Sequence, residues 1–198
     1  MNICLFQGTF NPIHNAHIDV AKFVLNNTDT EQIIFIPALN PPHKELFGNV
    51  SSDDRMNMVK LAVQDYDNFM VSDIEFKRGG KSYTWLTIEE LRLKYSVNNK
   101  FRFIIGTDAF VKIESWYEAE KLKQYVDFLL FKRDEEIPYD KLDYLKNAGF
   151  TFNLMALDFQ NISSTDIRDR ILHGKSISDL VPKKVEDYIN KNDLYRNK

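Results

Sequence analysis

Six short runs of apolar residues recur along the chain and are typical of β-strands. They cover residues 2–6, 32–36, 69–72, 101–105, 126–131 and 151–157. The second run contains Ile33-Ile34-Phe35-Ile36, and such continuous apolar stretches suit the strands of a parallel sheet that is covered on both faces. The sheet is therefore expected to lie between two layers of helices.

Between and after these runs, apolar residues recur at the spacing of one helix face. The pattern predicts helices over residues 17–26, 53–64, 85–95 and 163–173, and Pro182 begins a further one. Ser51 and Ser52 precede the second helix as candidate N-caps. Alternating strands and helices favour an α/β fold of the Rossmann-like, doubly wound type. Its mostly parallel sheet has helices on both faces, and a small helical C-terminus follows.

Length and composition indicate one globular domain. The chain has 198 residues, of which 43% are hydrophobic and 28% charged, with only seven Gly and six Pro. A chain of this size buries roughly two-thirds of its unfolded surface, which is enough for a core without disulfides. We expect a single domain over residues 1–198, in which residues 162–198 form a C-terminal helical part. The longest irregular stretch, residues 40–50, is a candidate mobile loop.

Charge and cysteine usage limit the partners and the compartment. The formal net charge of −3 disfavours nucleic acid as the main partner. The only cysteine, Cys4, lies in an apolar run and is expected to be a buried core thiol, which is compatible with a reducing cytosol. No run reaches the roughly 18 apolar residues that a membrane span needs, and no export signal is evident, so we expect a cytoplasmic protein without a membrane partner.

Two histidines stand at a strand–helix junction near the start of the chain. Gly8 follows the first strand, and a glycine lets the backbone approach a ligand closely. His14 and His17 are three positions apart at the beginning of a helix, so their Cβ atoms should be roughly 5–6 Å apart on one face. Because a helix N-terminus favours anions, this context predicts a phosphate site. A structural role of the pair is the alternative.

A second candidate phosphate segment follows the last predicted strand. Ser163 and Thr165 stand at the start of a helix, where hydroxyl groups either cap the helix or hold phosphate oxygens. Arg168 lies in the first turns of the same helix, and the planar guanidinium group suits phosphate.

Together the two segments resemble the nucleotidylyltransferase superfamily that carries the H-x-G-H motif. Residues 8–17 read GTFNPIHNAH and are similar to its first signature, and residues 162–168 read ISSTDIR and match its I-S-S-T-x-x-R signature. The chain departs from the usual pattern at three positions: it has Ala16 for Gly, Gln7 where Gly is often found, and Asn11 where Asp is frequent.

The resemblance implies an ATP site and a direct in-line transfer of its adenylyl group without a protein nucleophile. The implied catalytic residues are His14, His17 and Arg168. The implied ATP-binding residues are Gly8, Thr9, Phe10, Gly106, Asp108, Ile162, Ser163, Thr165 and Arg168. Mg²⁺ is expected to be carried with ATP, mainly on phosphates and water, and no dedicated metal cage of protein ligands is expected.

Other segments resemble the nicotinate-nucleotide adenylyltransferase family within this superfamily. Residues 81–87, KSYTWLT, are similar to its S-Y-T-x-x-T stretch, and residues 37–44, PALNPPHK, to its P-P-H-K loop. Gly106-Thr107-Asp108 followed by Trp116 is similar to its G-x-D…W pattern, and the ending over residues 181–195 also resembles that family. The implied reaction joins ATP to nicotinate mononucleotide, giving nicotinate adenine dinucleotide and pyrophosphate in NAD biosynthesis.

The same resemblance implies which residues bind the mononucleotide. They are Asn11, Asn40, Lys44, Tyr83, Thr84, Trp116 and Arg133. Structural roles stay open as alternatives. In these, Trp116 belongs to the core, Lys44 and Arg133 are solvated charges, Tyr83 packs at a helix start, and Asp108 is an N-cap.

Three other functions stay open as well. Two of them are enzymes, a pantetheine-phosphate and a nicotinamide-mononucleotide adenylyltransferase. The third is a nucleotide-sensing module on the same fold. The sequence also leaves a homo-oligomer open.

Overall fold

All six predicted strands are present in the structure, a computed structural model that describes residues 2–42, 49–95, 100–132, 137–157 and 162–196. The strands are β1 Ile3–Gly8, β2 Gln32–Pro37, β3 Phe69–Val71, β4 Phe101–Gly106, β5 Val126–Phe131 and β6 Thr151–Met155. They form one sheet in the order β3-β2-β1-β4-β5-β6, and every pairing is parallel. The Rossmann-like, doubly wound fold is therefore confirmed.

The predicted helices are also present, and shorter ones join them. In the described ranges the helices are α1 Asn15–Asn27, α2 Ser52–Val63, α3 Ile74–Arg78, α4 Thr84–Tyr95, α5 Thr107–Phe110, α6 Ala119–Tyr125, α7 Tyr139–Asn147, α8 Ser164–Leu172 and α9 Lys183–Lys191. None of them is long and apolar enough to cross a membrane.

Successive residues of the strands contribute to two cores, one on each face of the sheet. Cys4 and Phe6 of β1 pack with residues of α1, α2, α8 and α9. Leu5, between them, packs on the other face with residues of α4, α5, α6 and α7. This alternation follows from the pleat of a strand, which points successive side chains to opposite faces. Cys4 is fully buried, as predicted, and burial raises the pKa of its thiol.

The element bounds differ from the sequence prediction where the local pattern is weak. β1 continues through Gln7 to Gly8, while β3 ends at Val71 and β6 at Met155. The sixth strand lies at the edge of the sheet and is largely exposed, and Ala156 and Leu157, which the apolar run includes, lie beyond its end. Ser51 is the N-cap of α2, since its hydroxyl accepts a hydrogen bond from the Asp54 backbone at 3.0 Å.

The strand order fixes where a ligand crevice can open. From β1 the chain proceeds outward to β2 and β3, and from β4 it proceeds outward in the opposite direction. At such a reversal the loops beyond the carboxyl ends of the two central strands diverge to opposite faces and leave a crevice. Gly8 ends β1 and Gly106 ends β4, so both predicted glycines stand at this point.

Two leucines of α4 provide a test of how this helix packs against the sheet. Leu91 is fully buried and Leu93 is 80% exposed. Leu91→Ala should lower the free energy of unfolding by about 2–5 kcal/mol because it leaves a cavity. Leu93→Ala, the matched control on the same helix, should stay within about 0.5 kcal/mol of the wild type. Urea denaturation measures both, and equal losses would contradict the assigned burial.

Candidate functional site

The loop after β1 begins with a glycine that faces an aromatic ring. A Cβ atom at Gly8 would lie 2.9 Å from Cζ of Phe10, whose side chain is only 3% exposed. The Phe10 ring meets Phe6 and His17 edge-on, with centroids 5.6 and 5.1 Å apart. The sequence predicts close approach of a ligand at Gly8, but the Phe10 ring already requires a glycine there.

His14 and His17 share the first turn of α1. Their imidazole rings stack with centroids 3.6 Å apart and planes inclined by 27°. His14 is the N-cap residue and is 2% exposed, and its backbone N–H donates to Nδ1 of His17 at 3.2 Å. Since Nδ1 of His17 accepts this bond, the proton of the neutral ring belongs on Nε2, which becomes a donor.

Arg168 in α8 reaches back to the loop after β1. Its Nη1 donates to the Asn11 carbonyl at 2.8 Å, and its Nη2 donates to the Thr165 hydroxyl at 3.1 Å. Ser164 donates to the Pro12 carbonyl at 2.9 Å. The two predicted phosphate segments, more than 150 residues apart in sequence, thus lie against each other (separations of 157 and 152 residues).

Ser163 caps α8, which is one of the two roles that its position allows. Its hydroxyl oxygen accepts from the Asp166 backbone N–H at 3.0 Å and donates to the Asp166 carboxylate at 2.7 Å. Ile162, just before it, is 8% exposed and belongs to the core on the α1 side of the sheet. A phosphate contact from the Ser163 hydroxyl would therefore compete with the cap.

Arg55 in α2 is a fully buried cation behind the same loop, and the sequence analysis did not single it out. Its Nη1 donates to the carbonyl groups of Thr9 and Ala38 at 2.7 and 2.6 Å, and its Nη2 donates to the Leu39 carbonyl at 3.0 Å. One guanidinium group therefore joins the loop after β1 to the loop after β2.

The charge of Arg55 persists in spite of its burial. Burial lowers the pKa of Arg55, whereas Tyr195 and Glu75 act to raise it. The ordinary pKa of an arginine is so high that the side chain keeps its proton inside a protein. The sequence holds one clue to this role, since Arg55 is four residues before Val59 and therefore shares a face with a predicted core position.

Gln7 belongs to a second buried network that the sequence analysis did not predict. The carboxylate of Glu75, which is 1% exposed, accepts from Gln7 Nε2 at 2.5 Å, from the Thr87 hydroxyl at 2.9 Å and from Leu39 N at 3.1 Å. The Gln7 oxygen accepts from the Thr84 hydroxyl at 2.8 Å. Gln7, where the resemblance leads one to expect Gly, therefore ties β1 to the start of α4.

The residues predicted for the mononucleotide form contacts on the β2 side of the crevice. The backbone N–H of Asn40 donates to the Ser82 hydroxyl at 2.8 Å, and Ser82 N donates to the Asn40 carbonyl at 3.0 Å. The Tyr83 ring stacks on Tyr117 with centroids 4.7 Å apart. Asn40 is thereby joined to Ser82, the residue before Tyr83, and the Tyr83 ring contacts the segment that follows β4.

The remaining predicted residues follow β4 or lie outside the described ranges. Gly106 is the N-cap of α5 and Asp108 lies in its first turn, so Asp108 is not the cap. Trp116 is partly buried and meets Phe103 edge-on at 6.4 Å, which gives it a share in the core. Lys44 and Arg133 lie outside the described residues, as do residues 43–48 of the predicted loop.

The groups around the Thr9–Asn11 loop suit a ligand with several phosphates. The first turn of α1 holds two imidazoles, of which that of His14 is buried, Arg168 lies in the first turns of α8, and Arg55 adds a guanidinium group behind the loop. Helix N-termini and guanidinium groups both favour phosphate oxygens. Donors fixed in advance are most effective where negative charge develops during phosphoryl transfer.

Known proteins resemble the chain over nearly its whole length. It matches the cytidylyltransferase-like family over residues 5–170. The "Probable nicotinate-nucleotide adenylyltransferase" of Geotalea daltonii is 38% identical over 213 residues, covering 98% of each chain. The protein of that name from Clostridium tetani is 37% identical over 196 residues, covering 97% of this chain and 98% of its own.

A solved structure is also similar to the chain over its whole length. The nicotinic acid mononucleotide adenylyltransferase of Plasmodium falciparum complexed with NaAD aligns with a TM-score of 0.81 at 25% identity. The alignment covers 100% of this chain and 98% of the other. The similarity therefore includes every element around the crevice.

The contact between Gly8 and Phe10 can be tested by substitution. Gly8→Ala should lower the free energy of unfolding by about 1–3 kcal/mol, because the new methyl group overlaps the packed Phe10 ring. Turnover should fall as well, since His17 rests on that ring. Urea denaturation and pyrophosphate release measure the two effects.

The matched experiment places Phe10→Leu in the Gly8→Ala background. Leucine lacks the Cζ atom, so Gly8→Ala should cost less there than in the wild type. Strictly additive losses would contradict a direct clash between the two residues.

Proposed function

The chain belongs to the cytidylyltransferase-like family, and within it we propose that the protein transfers the adenylyl group of ATP to nicotinate mononucleotide. The products are nicotinate adenine dinucleotide and pyrophosphate, in NAD biosynthesis. The name shared by the relatives from Geotalea daltonii and Clostridium tetani supports this acceptor. The observation that carries the proposal is the hydrogen bond from Arg168 to the Asn11 carbonyl, which joins the two phosphate segments.

The proposed step is a direct in-line displacement. A phosphate oxygen of the mononucleotide forms a bond to the α-phosphorus of ATP while the bond from that phosphorus to the bridging oxygen breaks, and pyrophosphate leaves with the electron pair. No protein nucleophile is needed, and the fully buried Cys4 offers none. Catalysis then consists of positioning and of neutralising charge on the phosphate oxygens.

Each phosphate-binding group has a role in this step. His14 positions the phosphates, and His17 donates from Nε2 to the α-phosphate as charge builds there. Arg168 and Thr165 hold the leaving pyrophosphate. Ser163 joins them when its hydroxyl releases the Asp166 backbone N–H. Gly8, Thr9 and Phe10 shape the loop beneath the triphosphate.

In this proposal the acceptor lies across the crevice, between residues that follow β2 and residues that follow β4. Trp116 stacks on the flat pyridine ring. The Thr84 backbone N–H, at the start of α4, binds the ring carboxylate, and the Tyr83 N–H joins it by exchanging its present partner, the Lys81 carbonyl at 3.0 Å. Asn11, Asn40, Lys44 and Arg133 complete the mononucleotide site. Gly106 and Asp108 belong to the ATP site, where Asp108 contacts the ribose.

The divalent metal enters with ATP in this proposal. Among the residues that the structure describes, no group of three or more His, Cys, Asp or Glu side chains is arranged to hold a metal ion. Mg²⁺ prefers phosphate oxygens and water, so it fits as part of the MgATP substrate. We place the reaction in the cytoplasm, where a free thiol such as Cys4 is stable.

An acceptor panel tests the function. With MgATP, pyrophosphate release should show a kcat/KM for nicotinate mononucleotide at least about tenfold above that for nicotinamide mononucleotide or pantetheine phosphate. A preference for either of the other acceptors would contradict the proposal. Binding of ATP without pyrophosphate release from any acceptor would instead indicate a nucleotide-sensing module.

His17→Ala tests the mechanism. Removing one donor to the transition state usually costs about 10²–10³-fold in kcat, so kcat should fall at least 10²-fold while ATP still binds. His173→Ala is the matched control, because His173 is an exposed histidine at the end of α8. Near-normal turnover in purified His17→Ala would refute the role given to His17.

A further inference from the structure

The chain segment after α9 returns to the site through a buried tyrosine. α9 ends at Lys191, and the turn that follows places Leu194 and Tyr195 in the core, with Tyr195 fully buried. The Tyr195 backbone has a φ of 64°, a left-handed conformation that a bulky residue adopts only where its surroundings hold it. The Asn49 side chain holds it, because its Oδ1 accepts from Tyr195 N at 3.1 Å.

The Tyr195 hydroxyl contacts the first phosphate segment directly. It donates to Oδ1 of Asn11 at 2.7 Å, in a buried hydrogen bond between residues 184 positions apart. The Asn11 carbonyl accepts from Arg168 at 2.8 Å. Asn11 is therefore held at both its side chain and its backbone by residues from the last part of the chain.

The direction of this bond follows from its two atoms, because an amide oxygen only accepts and the phenol supplies the proton. Burial raises the pKa of Tyr195, and Arg168 and Arg55 oppose that shift. The hydroxyl therefore keeps its proton, and neighbouring guanidinium groups can only donate. The phenol proton then goes to Asn11 Oδ1, which orients the whole Asn11 amide, with its nitrogen turned away from Tyr195.

We propose that Tyr195 is a positioning residue for the acceptor site: its hydroxyl fixes the Asn11 amide in the orientation that binds the mononucleotide. The inference rests on the proposed function, because that function assigns Asn11 to the acceptor. A tyrosine that only anchored the C-terminal turn would affect stability alone. A positioning residue also affects the affinity for one substrate and not for the other.

Tyr195→Phe removes one oxygen atom and keeps the ring. The KM for nicotinate mononucleotide should rise about tenfold, which corresponds to one buried hydrogen bond, while kcat and the KM for ATP stay within about twofold. Tyr188→Phe is the matched control. Its hydroxyl donates to Asp54 at 2.9 Å, outside the proposed site, so this variant should leave both KM values unchanged.

Asn11→Ala separates positioning from general packing. If Tyr195 acts through Asn11, Tyr195→Phe should raise the acceptor KM in the wild type but not further in the Asn11→Ala background. The same rise in both backgrounds, or an equal rise in the KM for ATP, would overturn the inference. An unchanged acceptor KM in Tyr195→Phe or in Asn11→Ala would overturn it too.

Different measurements test the proposed function and the role of Tyr195. Steady-state kinetics on all variants are run well below their melting temperatures. Wild-type turnover of nicotinate mononucleotide leaves the proposed function standing whatever the variants do. Absence of that turnover overturns the function, and the inference that rests on it, before any variant is compared.

Discussion

The Thr9–Asn11 loop depends on two guanidinium groups that bind its backbone carbonyls. Arg55 donates to the Thr9 carbonyl at 2.7 Å and Arg168 to the Asn11 carbonyl at 2.8 Å. Between them Phe10 has a φ of 47°, a left-handed conformation that is costly for a residue other than glycine. Buried carbonyls need donors, and here the donors are charged, which makes the bonds strong. The same bonds fix two positive charges on the loop that leads to His14 and His17 at the first turn of α1.

This constraint explains how a fold with distant segments forms one site. Arg55 comes from α2, Arg168 from α8 and Tyr195 from the final turn, and all three reach the loop after β1. The strand order sends the loops after β1 and β4 apart, so a crevice opens beside the anchored loop. The Gln7–Glu75 network fixes the other wall, since it ties β1 to the start of α4. In the proposed function, the triphosphate therefore binds beside a loop whose backbone is already held in place.

The sequence was sufficient for the elements with strong periodicity and for the placement of polar residues at their ends. Apolar runs predicted all six strands of the described ranges. In β1, β2, β4 and β5 these runs reflect burial on both faces of the sheet, whereas β6 is largely exposed. The spacing of His14 and His17 predicted their shared turn. Other features depend on tertiary contacts that no local pattern contains. Arg55 resembles any charged helix residue until its carbonyl partners are known, and Tyr195 resembles an ordinary terminal tyrosine. The short helix α6 has few buried residues to mark it.

The proposed function requires that His14, His17 and Arg168 surround one triphosphate. A crystal structure of the protein with Mg²⁺ and an ATP analogue whose α,β-bridging oxygen is replaced by carbon tests it directly. We expect α-phosphate oxygens within hydrogen-bond distance of His17 Nε2 and the β- and γ-phosphates beside Arg168. A triphosphate bound out of reach of these side chains would contradict the proposed function.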